Sequence, residues 1–223
     1  MSSKRVFIAA MAASGIASAA SADVVISQGD SAPTYATTLN FDEPGQATGP
    51  VPSTYWQADY GIVIDSGDGN PVVDAWGGIF GPWLGDGNSF FGNFGVFITF
   101  DNDVTAFSAQ VWDPSGPPSP IGGGLIVAVW NDGVEVTSTV IEPAWGTDVG
   151  SWLDIVGDGG TAFDEVRFVG LGFDPSTFTD NLSWTPVPAP GAIALLGLAG
   201  LAGRRRRDCV DPHLGKGGAK EPT

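Results

Sequence analysis

The chain has 223 residues, 25 acidic and 9 basic, with a net charge of −16, one Cys and one His. That length can bury a sizeable core, and a hydrophobic share of 43% excludes a disordered chain of low hydrophobicity. One Cys excludes a disulfide framework or a multi-cysteine metal site, one His excludes most His-based chemistry, and the acidic balance argues against nucleic acid as a partner.

The N-terminus reads as a secretory signal. Lys4 and Arg5 precede an apolar, Ala-rich run from Val6 to Ile16. Ala20-Ser21-Ala22 then gives the small-x-small pattern of a signal peptidase site, at Ala20 and Ala22, and Asp23 opens the mature chain. The apolar run is too short for an ordinary membrane span.

From there on, short β-favouring runs dominate. Val24-Val25-Ile26, Thr37 to Phe41, Tyr60 to Ile64 and Val96 to Phe100 are the first of them. Asp103 to Trp112 alternates, with Thr105, Phe107, Ala109 and Val111 on one face. Leu125 to Trp130 and Val134 to Ile141 flank Asn131-Asp132-Gly133, a hairpin signal because Gly accepts positive φ. Trp152 to Val156, Val166 to Val169 and Asn181 to Thr185 complete the set, with Gly and Pro in the gaps and no amphipathic helical stretch. The expectation is an all-β fold, a two-sheet β-sandwich of jelly-roll-like type.

The C-terminal part changes character. Thr185 to Pro190 is stiffened by its prolines. Gly191 to Gly203 is apolar throughout, and Arg204, Arg205, Arg206 and Arg207 follow as four consecutive cations. Such a stretch is marginal for crossing a bilayer of roughly 30 Å; the expectation is a short transmembrane helix with the Arg cluster as its cytoplasmic stop, and a core helix with a basic end is the alternative. The expected organisation is a signal peptide over 1–22, an acidic domain over 23–184, a linker, membrane helix and Arg cluster over 185–207, and a tail over 208–223.

The C-terminal segment, with Val187, Pro188, Ala189, Pro190 and Gly191, the Ala/Gly/Leu span and the Arg cluster, resembles the PEP-CTERM sorting signal. Ala189 stands where that signal has its glutamate, and residues 208–223 extend beyond the usual basic end. The resemblance implies an exosortase-type processing enzyme as partner, membrane anchoring before processing, and delivery to the cell surface or extracellular matrix. Phe41-Asp42-Glu43, the stretch Ile98 to Phe107 and Asp180-Asn181-Leu182 also resemble a diffuse group of exported sandwich domains. That likeness implies a fold with carbohydrate-binding-module or lectin relatives, and no particular activity.

Between Asp23 and Pro186 one basic residue, Arg167, faces 22 acids, a balance of −21. Such a surface concentrates divalent cations and also confers solubility. Calcium takes six to eight oxygens. Asp42, Glu43 and Asp180 are its candidate ligands, provided the first and last strands pair; capping turns are the alternative role for the same residues. Asp65-Ser66-Gly67-Asp68-Gly69-Asn70 lacks the rest of an EF-hand loop and reads as an Asx/Gly turn.

All 8 Trp lie inside the domain. Aromatic faces stack on pyranose rings while carboxylates and amides bind their hydroxyls. Trp76, Trp83, Asp86 and Asn88, on one Gly-rich connection, are therefore the candidate ligand-binding residues, with extracellular polysaccharide as the partner. Trp112, Trp130 and Trp184 fall in strands and read as structural. A domain without His, Lys or Cys holds no Ser/His/Asp triad. The expected function is a non-catalytic binding or structural module; a hydrolase with a carboxylate pair and a purely structural acidic coat are the alternatives.

Overall fold

The computed structural model describes residues 23–75, 87–112, 124–142, 151–171 and 175–188. The expected signal peptide, the apolar segment 191–203, the Arg cluster and the tail lie outside these residues. Among the described residues no helix is long and apolar enough to cross a membrane.

The chain is all-β. Its strands are β1 (Val24–Gly29), β2 (Thr37–Leu39), β3 (Gly49–Pro50), β4 (Ile62–Ser66), β5 (Val72–Asp74), β6 (Ser89–Gly92), β7 (Val96–Trp112), β8 (Leu125–Asn131), β9 (Val134–Ile141), β10 (Ser151–Gly157), β11 (Phe163–Gly170) and β12 (Thr177–Pro186). Among the described residues the helical part consists of a four-residue helix, α1 (Gln57–Tyr60), and a short 3-10 turn at Asp158–Gly160.

The architecture turns on β7, which runs 17 residues. Its first half pairs with β4 and β11, and β11 continues the layer through β8 to β9. Its second half pairs with β10 and β12, forming a second layer with β1 beyond β10. Asp101, Asn102 and Asp103 lie exposed at the changeover. The two expected strands Val96 to Phe100 and Asp103 to Trp112 are thus one strand shared between layers, so every strand joins one hydrogen-bonded network. The sandwich expected from the sequence is present, and all its strand pairs are antiparallel.

The core lies between the layers and follows from the alternation. Ile62 and Ile64 of β4, Ile98 and Phe100 of β7, Val166 and Phe168 of β11 and Val127 and Val129 of β8 face inward from one side. Phe107, Ala109 and Val111 of β7, Leu153 and Ile155 of β10, and Leu182 and Trp184 of β12 meet them from the other. Phe107 contacts Phe100 and Phe168 at ring separations of 5.8 and 6.2 Å. The hairpin expected at Asn131-Asp132-Gly133 joins β8 to β9, with φ of 50° at Asp132 and 74° at Gly133, the signature of a type I′ turn.

On the outer face of the first layer sits Arg167, the one basic residue among those described. Its guanidinium lies 4.1 Å from the Trp130 ring centre and 5.6 Å from that of Phe97, and it grips Glu165 at 2.6 and 3.0 Å. Trp130 is therefore an outer-face stacking partner, whereas Trp112 and Trp184 are buried, as their strand positions suggested.

Candidate functional site

Three local features of the second layer build a cleft. The first is a strap. β1 pairs with β10 and β2 with β12, so residues 30–36 cross the outer face of the layer to connect them. The outward side chains of the strands beneath hold the strap down. Ser108 and Ser183 hydroxyls lie 2.8 Å apart, Ser108 Oγ donates to the Pro33 carbonyl at 2.8 Å, and the Tyr35 N–H donates to Ser183 Oγ at 3.0 Å. Tyr35 then reaches across to donate its O–H to Asp154 Oδ1 on β10.

The second feature is a bulge in β12. The register with β7 shifts between Asp180 and Ser183, where Asn181 takes a φ of 50°, a region Asn tolerates better than most residues. The Asn181 amide nitrogen donates to Gln110 Oε1 at 2.6 Å, which fixes the side chain against β7. At this bulge the neighbour of β12 changes from β6 to β2.

The third is the turn after β2. Phe41 has a φ of 59° although its side chain is bulky, a strained conformation held by burial of the ring against Trp56 and Phe90 at 5.2 and 6.0 Å. The turn separates the two acids that follow. The Asp42 carboxylate accepts the Asn88 N–H at 2.8 Å and sits against Gly87, where a Cβ would lie 1.7 Å from Oδ2. The Asn88 side chain donates to the Phe41 carbonyl at 3.0 Å. Glu43 turns back instead, its Oε1 accepting the Asn40 N–H at 3.1 Å.

Together these features enclose a cleft of about 240 Å³. Its lining includes Pro33 and Thr34 of the strap, Asn40 and Glu43 after β2, Asn181 of the bulge and Trp152 of β10. Trp152 is half-buried: the inward neighbours Leu153 and Ile155 leave it on the outer face of the layer. The cleft is thus lined by an aromatic residue together with acidic, amide and hydroxyl residues.

The sequence-derived candidates fare unequally. The last strand does pair with an early one, β2, although β1 itself pairs with β10. That pairing brings Glu43 beside Asn181 in the cleft. Asp180 is fully buried, with Oδ1 accepting the Asn181 N–H at 2.6 Å, and Asp42 is committed to Asn88. Among the described residues no three Asp, Glu, His or Cys side chains gather to hold a metal ion, so the calcium set Asp42, Glu43 and Asp180 is not assembled here. Asn88 braces the turn through Asp42 and Phe41, and Trp76, Trp83 and Asp86 lie outside the described residues.

The oxygen-rich stretch Asp65 to Asn70 forms the expected Asx/Gly turn. Asp68 accepts from Ser66 Oγ, the Asn70 N–H and Asn93 Nδ2 at 2.5, 2.9 and 3.2 Å. These donors, Ser66 foremost, hold its carboxyl down at about 2.

The strap carries a titration of its own. Burial, and then the Asp154 carboxylate, raise the Tyr35 phenol well above its ordinary 10.0. A group with a raised folded pKa contributes stability that is fully present below its unfolded value and is lost as pH rises through the folded one. Unfolding free energy should therefore fall above about pH 10. Tyr35→Phe should flatten that alkaline limb and cost about 1 kcal/mol at neutral pH through the lost hydrogen bond. Urea denaturation at stepped pH reads both effects; a limb of unchanged slope in the variant would assign it to other groups.

No known family model matches the chain, and no curated protein or solved structure is detectably similar to it.

Proposed function

We propose that the protein is an exported surface or matrix component whose β-sandwich is a non-catalytic module binding a glycan weakly in the strap cleft. The observation that carries the binding reading is the lining of that cleft, where the aromatic Trp152 and the polar residues Glu43, Asn40 and Asn181 border one space. Pyranoses are bound by that combination of stacking and polar contacts. Export and anchoring rest on Lys4 to Ala22 and on the apolar segment with Arg204 to Arg207, read through their likeness to a signal peptide and to the PEP-CTERM signal. On that reading an exosortase-type enzyme processes the chain near Pro188-Ala189-Pro190. The absence of His, Lys and Cys from residues 23–186 leaves no Ser/His/Asp triad there, so the hydrolytic alternative rests on a carboxylate pair alone.

One experiment separates the two halves of the proposal. Cells producing the full chain should display it and capture a polysaccharide from a glycan panel. Replacing Arg204, Arg205, Arg206 and Arg207 with Gln should abolish display. Trp152→Ala should leave display intact and weaken capture at least about tenfold, near 1.4 kcal/mol. Undiminished capture by Trp152→Ala would remove the cleft from the account, and undiminished display by the Gln variant would remove the sorting signal.

A further inference from the structure

The end of β12 runs straight into the proposed cut with no spacer between them. Trp184, Thr185 and Pro186 pair with Phe107, Ala106 and Val104 of β7, and the Val187 N–H donates to the Asp103 carbonyl at 2.7 Å. Trp184 is also buried, its ring 5.9 Å from that of Phe100 in the core. Pro188 follows directly and is exposed, while Ala189 and Pro190 lie outside the described residues.

An endoprotease takes its substrate as an extended strand in its own cleft, and several residues of that strand precede the bond to be cut. For a cut among Pro188, Ala189 and Pro190, those residues are Trp184 to Val187. One stretch of backbone cannot lie on β7 and in an enzyme at the same time. Susceptibility to cutting is set by the burial and hydrogen bonding of the affected backbone, so the rate follows the fraction of chains with this end open.

Resting on the sorting reading above, we infer that closure of β12 onto β7 gates the processing of the chain. The cut is made before the strand end zips onto β7, or while that end is peeled back, and the zipped sandwich resists it. Peeling starts at Val187, whose bond to Asp103 is the outermost, and stops at Trp184, which is held in the core. In the cut the peptide C–N bond breaks, and water supplies the hydroxyl of the new carboxyl end and a proton to the departing amine.

Inserting Gly-Ser-Gly-Ser-Gly-Val between Val187 and Pro188 tests the gate, because it keeps both the strand and the Val-Pro-Ala-Pro sequence at the cut. Two rates are compared for the unaltered and the lengthened full chain. One is shortening in producing cells, followed by pulse-chase. The other is cutting after Pro188 of the purified, unprocessed chain by a proline-specific endoprotease, followed by intact mass. Each should rise at least about tenfold in the lengthened chain, the factor for an opening free energy near 1.4 kcal/mol. In urea that unfolds the sandwich, the endoprotease should cut both chains alike. Native chains shortened and cut equally fast would overturn the inference while leaving the sorting reading in place. Shortening of neither chain in cells would remove the sorting reading, and with it the processing to be gated, whatever the endoprotease shows.

Discussion

Phe107→Ala is expected to destabilise the domain by about 3–5 kcal/mol, the range for truncating a buried aromatic residue. Phe107 is fully buried and stands just past the point where β7 passes from one layer to the other. Its ring touches Phe100 from the same strand and Phe168 from β11 in the opposite layer. Removing it opens a cavity bounded by rigid strands on both sides, which cannot collapse without moving β7 itself. A domain of this size has about 5–15 kcal/mol in all, so one substitution removes a large share. Urea denaturation of the variant gives the value directly; a loss below about 1 kcal/mol would mean that the layers repack freely around this site.

Gly95→Ala should come close to it. Gly95 has a φ of 112°, outside the range comfortable for a residue with a side chain, in the turn between β6 and β7. A Cβ there would also lie 2.6 Å from the Phe168 carbonyl oxygen and 3.0 Å from a Val169 methyl. Phe168 belongs to β11, paired on both sides, so its carbonyl has little room to retreat. Backbone strain of roughly 1–3 kcal/mol and overpacking of similar size act together. The thermal midpoint should drop by several degrees. Gly133→Ala provides the control: its φ is also positive, at 74°, but nothing lies within 4 Å of the added atom. Equal losses in the two variants would show that the close approach to β11 adds nothing.

The elements that the sequence reveals, and those it hides, follow from period and length. Two β-favouring runs of seven and eight residues, the first apolar from Leu125 to Trp130, mark β8 and β9, because Asn131-Asp132-Gly133 supplies the turn between them. β5 and β6, at three and four residues, are too short for a period to register. The polar run Asp101-Asn102-Asp103 looks like a gap between strands, because period-two patterning describes side-chain faces and does not reveal that a strand exchanges partners along its length. The cleft was legible only in part. Glu43 and Asn181 belong to stretches picked out by the acidic pair and the Asp-Asn-Leu motif. Trp152 falls in the expected strand Trp152 to Val156, and the apolar Leu153 and Ile155 that alternate with it put it on the solvent side, where a large ring has less to bury against. The strap was invisible, since its placement depends on β1 and β2 joining strands far apart in the sheet. Asp42 and Glu43 take different partners, the Asn88 N–H and the Asn40 N–H, in a turn that starts at the positive φ of Phe41, and composition and spacing do not encode that divergence.

Both ends of the described domain emerge at one pole. Asp23 accepts a bond from the Asp158 N–H beside the last pair of β1 with β10, and Val187 donates to the Asp103 carbonyl next to the last pair of β12 with β7. Three strand spacings separate β1 from β12, about 14 Å. A load pulling Asp23 and Val187 apart would therefore unzip β1 and β12 one bond at a time, starting at that pole. Traction applied between opposite poles would instead have to shear whole ladders at once. The sandwich should be mechanically soft when stretched by its own ends and stiff when pulled along its strands.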